Sequence, residues 1–115
     1  MAGKTRLLFV CSANQQRSPT AERLFQDSDY YEARSCGTHT LSRTPCDKAL
    51  IAWADVIFCM EEHHRQALLQ RHEVAGEKKI IVLDIPDMYL RNDPRLIMRL
   101  RRDLETYLEH PLPDY

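Results

Sequence analysis

Residues 6–25 read Arg6-Leu-Leu-Phe-Val-Cys11-Ser-Ala-Asn-Gln-Gln-Arg17-Ser-Pro-Thr-Ala-Glu-Arg-Leu-Phe25. The stretch from Arg6 to Val10 is a short apolar run without alternation. Such a run suits a strand buried on both faces, as in a parallel sheet. The segment from Cys11 to Arg17 reads as a loop. Ser18-Pro19 then opens a helix, because the missing amide and fixed φ of proline suit the first helical turn. That helix runs to Gln26, and Ala21, Leu24 and Phe25 recur at i, i+3 and i+4, giving it one apolar face. The stretch therefore predicts strand, loop, helix.

The same order repeats along the chain. Tyr31–Ser35 is a weaker strand, ended by Gly37. Thr44-Pro45-Cys46-Asp47 reads as a helix start with a Thr cap, Pro at the first position and an early acid. That helix carries Ala49, Leu50 and Trp53. Ala54–Met60 is the third strand, Glu61–Arg71 the third helix and Lys79–Ile85 the fourth strand. Pro86–Asp93 is a loop. Pro94–Glu109 is the last helix, with Leu96, Ile97, Leu100, Leu104 and Leu108 along one side, and Pro111–Tyr115 is expected to fray. Apolar strands alternating with amphipathic helices predict one α/β domain over residues 1–115. The expected architecture has three layers, α/β/α, around a central four-stranded parallel sheet, with a phosphate-binding loop after the first strand. Ligands of such sheets bind beyond the carboxyl ends of the strands.

Composition narrows the function. Of 115 residues, 16 are Lys or Arg and 17 are Asp or Glu, a formal net charge of −1. So balanced a chain has no general field for nucleic acid or an anionic membrane. It has no apolar run near the ~18 residues a membrane helix requires. The beginning has no signal-type apolar region. The expectation is a soluble, monomeric, cytoplasmic protein with no nucleic-acid or membrane partner. The four cysteines, Cys11, Cys36, Cys46 and Cys59, form no CxxC pair, so no disulfide framework is expected. The neighbours His63 and His64 should point to different sides of a helix, on a solvated face, and neither a metal site nor a cofactor is expected. Arg95, Arg99, Arg101 and Arg102 read as a solvated helix face, with a docking surface for an acidic partner as the alternative.

The loop after the first strand carries the chemistry. Its amides, with the first free amides of the following helix, can converge on an oxyanion. Arg17 adds a planar fork able to hold two oxygens. A cysteine beneath an anion site of this kind is favoured as the thiolate, the nucleophilic form. Ser18 can donate a hydrogen bond to it. Asn14 is one of the few residues other than glycine that tolerates positive φ, which a tight anion nest without glycine needs. Of two aspartates after the fourth strand, Asp84 reads as a strand-closing residue. Asp87 falls beyond Pro86, on a loop that can close over a phosphate.

Phe9-Val-Cys-Ser-Ala-Asn-Gln-Gln-Arg-Ser-Pro-Thr-Ala-Glu22 resembles the signature of the low-molecular-weight protein tyrosine phosphatases, in a short bacterial-type form. Ser35-Cys-Gly-Thr38, Asp55-Val-Ile-Phe-Cys-Met-Glu61 and Ile85-Pro-Asp-Met-Tyr-Leu-Arg-Asn-Asp93 resemble later segments of the same family, in the same order. The resemblance implies a phosphomonoester hydrolase acting through a phosphocysteine. It implies Cys11 as nucleophile, Arg17 as phosphoryl clamp and Asp87 as acid and then base. Ser12, Ala13, Asn14, Gln15, Gln16 and Ser18 would surround the phosphoryl group, or another oxyanion in its place, and Tyr89 would line the entrance. The substrate would be a phosphorylated protein, first of all at tyrosine, or a small phosphomonoester. Gln16 stands where many members carry a second cysteine, and Leu90 where a second tyrosine is common. Ser12–Ser18 also resembles the loop of phosphatases that act on phosphoserine in the RNA polymerase C-terminal domain. Two other readings share the fold: an arsenate reductase using Cys36, Cys46 or Cys59 as a relay, and a phosphopeptide-binding module without turnover.

Overall fold

The computed structural model describes residues 3–113, so expectations for Met1, Ala2, Asp114 and Tyr115 lie outside the described residues. Four strands, β1 (Thr5–Cys11), β2 (Tyr31–Gly37), β3 (Val56–Cys59) and β4 (Lys79–Val82), pair in the order β2-β1-β3-β4. All three pairings are parallel. The helices are α1 (Arg17–Arg23), α2 (Lys48–Trp53), α3 (Glu62–Arg71) and α4 (Pro94–Tyr107). A 3₁₀ segment, Glu73–Glu77, precedes β4.

The pleat of β1 sorts the core. Leu7, Phe9 and Cys11 face one side, together with Ala21 of α1 and Leu96, Leu100 and Leu104 of α4. Leu8 and Val10 face the other, with Ile51 of α2 and Leu68 of α3. These are the three expected layers. Phe9 is stacked between Phe25 and Phe58, with ring centroids 5.7 and 5.4 Å away. Each buried side chain of this size contributes about 1.5–3 kcal/mol. No helix among the described residues is long and apolar enough to cross a membrane.

Several element boundaries differ from the sequence reading. Helix α2 begins at Lys48, because the Asp47 carboxylate accepts from the Leu50 amide at 2.8 Å and caps it. Thr44 and Cys46 instead pair with Gly37: the Gly37 amide donates to the Thr44 carbonyl at 2.8 Å, and the Cys46 amide to the Gly37 carbonyl at 2.9 Å. That pairing brings together Cys36 and Cys46, with Cα atoms 4.9 Å apart, and they form a disulfide. The expectation of no disulfide is thereby corrected. It came from the missing CxxC pair and the missing signal-type segment, whereas the bond follows from the chain folding back beside β2. Cys59 lies in the core as expected, and burial pushes its thiol up to about 12.

Strand β4 ends at Val82, short of Ile85, and Asp84 takes a positive φ of 57°. Leu112 is buried against the face that carries α4, and Arg101 donates to the Pro113 carbonyl at 2.7 Å. Residues 111–113 are therefore pinned rather than frayed. The α4 arginines are internally partnered: Arg95 with Asp93, Arg99 with Asp103 and the Asp84 carbonyl, and Arg102 with Asp103.

Candidate active site

The first and third strands end side by side. The connection from β1 leads to β2 on one side and that from β3 leads to β4 on the other, so a crevice opens between their carboxyl ends. There lies a cleft of about 200 Å³ lined by Cys11, Ser12, Ala13, Gln15, Gln16, Arg17 and Asp87. A larger open groove of about 670 Å³ runs along α1, past Lys4, Arg23, Arg43 and Arg91, and has no cysteine in its wall.

The loop from Cys11 to Gln16 is turned inside out relative to ordinary backbone. The carbonyls of Cys11, Ser12 and Ala13 accept from the amides of Thr38, His39 and Arg43 at 2.9, 3.0 and 3.1 Å. None of the amides of Ser12 to Gln16 donates to a backbone carbonyl among the described residues. Asn14 makes the turn with φ 56°, a conformation that asparagine tolerates better than most residues. Gly37 lets the neighbouring strand approach, since a Cβ there would meet the Ser12 carbonyl oxygen at 2.6 Å. Free amides with their carbonyls tied back make a nest for an anion.

Behind the nest, the Asn14 amide nitrogen donates to the hydroxyls of Ser18 and Ser35, each at 2.9 Å. Ser35 in turn donates to the Glu22 carboxylate at 2.6 Å. Ser18 Oγ lies 2.9 Å from the free thiol of Cys11. Arg17 is almost fully buried. Its Nη1 donates to the Glu61 carboxylate at 2.6 Å and to the Ile85 carbonyl at 2.8 Å. That anchors one edge of the guanidinium. Nε on the other edge stands 3.9 Å from the exposed Asp87 carboxylate. The bond from Arg17 holds Glu61 below the usual carboxylate range, against a smaller opposing effect of burial. The loop carrying Asp87 is tied to α1: the Arg91 amide donates to the Gln16 side chain at 2.5 Å, and the Asn92 amide to Thr20 Oγ1 at 2.9 Å.

Cys11, Ser12, Ala13, Gln15, Gln16, Arg17 and Asp87 thus meet in one cleft, with Asn14 and Ser18 directly behind it. Tyr89 is elsewhere: it packs against the core, with Arg95 5.8 Å from its ring centre, rather than lining the cleft. Three partners went unread in the sequence. Ser35 and Glu22 complete the support of Asn14, and Glu61 anchors Arg17. His64 was expected on a solvated face, yet it is wholly buried, with Nε2 2.9 Å from Ser12 Oγ. The rings of His63 and His64 are 4.0 Å apart, closer than adjacent positions on a helix suggested. Ligand atoms of Glu61, His63 and His64 lie within 4.8 Å of one another. The Glu61 carboxylate is engaged by Arg17, and both His64 nitrogens are hydrogen-bonded, so the trio is a support for the loop. The Glu61–His64 contact is an i, i+3 helix-start contact, whereas those with Arg17 and Ser12 arise only because β3 ends beside β1.

No protein-family model matches the chain, and the curated proteins yield no match. Solved structures do. A low molecular weight protein tyrosine phosphatase from Streptococcus pyogenes superposes with a TM-score of 0.72 at 19% identity, covering 90% of this chain and 91% of that one. Wzb of Vibrio vulnificus, in complex with benzylphosphonate, gives 0.72 at 22% identity, covering 91% and 97%. The YwlE arginine phosphatase of Geobacillus stearothermophilus gives 0.62 at 22% identity, covering 92% and 99%. The chain has the fold of the low molecular weight protein tyrosine phosphatases.

Proposed function

We propose that the protein is a cysteine-dependent phosphomonoester hydrolase that works through a phosphocysteine. One observation carries the reading: a free thiol, the open edge of a buried arginine and an exposed carboxylate meet in one small cleft whose loop amides are unpaired. The amides and Arg17 hold the phosphoryl oxygens and the charge that develops on them. Cys11 Sγ attacks phosphorus, the S–P bond forms, and the bond to the leaving oxygen breaks. Asp87 gives that oxygen its proton. The resulting carboxylate then takes a proton from water, the water oxygen attacks phosphorus, and the S–P bond breaks to release phosphate and the thiolate. Ser18 stabilises the thiolate at both stages. None of these steps calls on a metal or cofactor.

A phosphorylated protein, first at tyrosine, is the favoured substrate, with small aryl phosphates as surrogates. Met88 and Leu90, both exposed on the segment that carries Asp87, offer apolar surface to an aromatic leaving group. Among solved structures of this fold, one Wzb is described with benzylphosphonate and another with phosphate. The reductase alternative loses support from the pleat. Cys36 pairs in register with Val10 on the face opposite Cys11, and it is bonded to Cys46, so it cannot reach an adduct on Cys11. A module that only binds phosphopeptides needs neither the thiol nor Asp87.

Cys11→Ser should abolish hydrolysis of p-nitrophenyl phosphate while binding of vanadate or phosphate persists, because amides and Arg17 bind the anion without the thiol. Turnover by the serine variant would overturn the phosphocysteine. A wild-type protein that binds phosphate yet hydrolyses no phosphomonoester would leave the binding module.

A further inference from the structure

His64 presents a buried imidazole whose two nitrogens have defined roles. Nδ1 lies 3.0 Å from the Glu61 backbone nitrogen. A backbone N–H only donates, so Nδ1 carries the lone pair and the ring proton sits on Nε2. The contact between Nε2 and Ser12 Oγ is therefore an Nε2–H bond donated to the hydroxyl oxygen. An oxygen that accepts from His64 keeps its own proton for another acceptor. Among the described residues Ser12 Oγ has no other protein partner. Ser12 lines the cleft between Cys11 and Ala13.

We propose that His64 is a positioning residue: it fixes the Ser12 hydroxyl with its proton toward the cleft, where it is donated to a phosphoryl oxygen of the bound substrate. The inference rests on the phosphatase reading and adds a side-chain donor to the amides and Arg17. Its geometry is built by one helix start. Glu61 anchors Arg17 through its carboxylate, and its amide holds His64, so the end of β3 sets both the arginine and the hydroxyl. Burial drives the histidine down to about 3, so the ring stays neutral and keeps this tautomer at ordinary pH.

The test is a double-mutant cycle on inorganic phosphate binding by calorimetry, with kcat and KM for p-nitrophenyl phosphate alongside. Ser12→Ala should weaken phosphate binding ~10- to 100-fold, the range for a hydrogen bond to a charged group. His64→Leu should weaken it comparably when Ser12 is present and hardly at all in the Ser12→Ala background. His64→Gln, which keeps a donor near the position of Nε2, should restore most of the loss. Equal effects of His64→Leu in both backgrounds would overturn the proposal, as would wild-type affinity in Ser12→Ala. Should His64→Leu not fold, the imidazole ¹⁵N spectrum of the intact protein decides. A ring protonated on Nε2, whose signal moves on adding phosphate in the wild type but not in Ser12→Ala, supports the proposal. Protonation on Nδ1 or an unmoved signal overturns it. A wild type that neither binds phosphate nor hydrolyses p-nitrophenyl phosphate removes the phosphatase reading itself. Normal wild-type behaviour with a silent Ser12→Ala removes only the present inference.

Discussion

Asp84 and Asp87 stand three residues apart, and the structure places them differently. Asp87 lines the cleft, and its carboxylate faces the free edge of Arg17 at 3.9 Å. Asp84 is exposed with φ 57°, and its backbone carbonyl, not its side chain, accepts from Arg99 at 2.8 Å. A general acid matters only when the leaving oxygen needs a proton. Asp87→Ala should slow phenyl phosphate hydrolysis ~10²–10⁴-fold and hardly slow that of an ester with a strongly acidic leaving group. Asp84→Ala should preserve the leaving-group dependence and cost about 1 kcal/mol of stability, because alanine is strained at positive φ where aspartate is tolerated. Rate constants over a series of aryl phosphates, with urea melts of both variants, check this. A steep dependence in Asp84→Ala instead would exchange the roles.

At the scale of elements, the segment between β2 and α2 is the brace of the loop from Cys11 to Gln16. Its Thr38, His39 and Arg43 amides hold three consecutive loop carbonyls, and the Cys36–Cys46 bond closes it over a sequence separation of 10. Closing a loop of that size restricts the unfolded chain and stabilises by about 2–4 kcal/mol. Reduction by a dithiol should therefore lower the melting temperature and reduce kcat/KM. A Cys36→Ser, Cys46→Ser double variant should behave like the reduced protein and ignore the reductant. Identical melting of oxidised and reduced protein would show that the hydrogen bonds alone hold the brace.

For the whole molecule, acid acts on stability through the same groups that shape the site. His64 falls from an ordinary 6.5 to about 3 when buried. Below about pH 6.5 the unfolded chain takes up a proton that the folded one refuses, so stability declines as pH falls from 6.5 toward 3. Glu61 has the same sign. Its folded value lies below the ordinary 4.5, so its contribution is present above 4.5 and lost in more acid solution. Urea midpoints measured from pH 7.5 to 4 should drop steadily. His64→Gln should flatten the part between 6.5 and 5, which lies above the range where Glu61 takes up its proton. A wild-type midpoint constant over that interval would remove His64 as its cause.

Local rules were enough for the elements that carry a pattern of their own. The apolar run before Cys11, the Ser18-Pro19 helix start and the leucines of α4 made the three-layer sheet legible, because burial on both strand faces and 3.6-residue spacing leave marks in any sequence. That Cys11, Asn14 and Arg17 share the loop after the first strand, and that Asp87 lies on the one after the fourth, was legible because each loop is bounded by an apolar run and a helix start. The tertiary structure alone decided the support of that loop. Glu61 and His64 reach it only because β3 pairs with β1, and Cys36 meets Cys46 only because the chain doubles back beside β2. Tyr89 is half-buried against the α4-side core and is not among the residues that line the cleft. Contacts between residues far apart in the chain are fixed by strand order and register, and no spacing within a single segment encodes them.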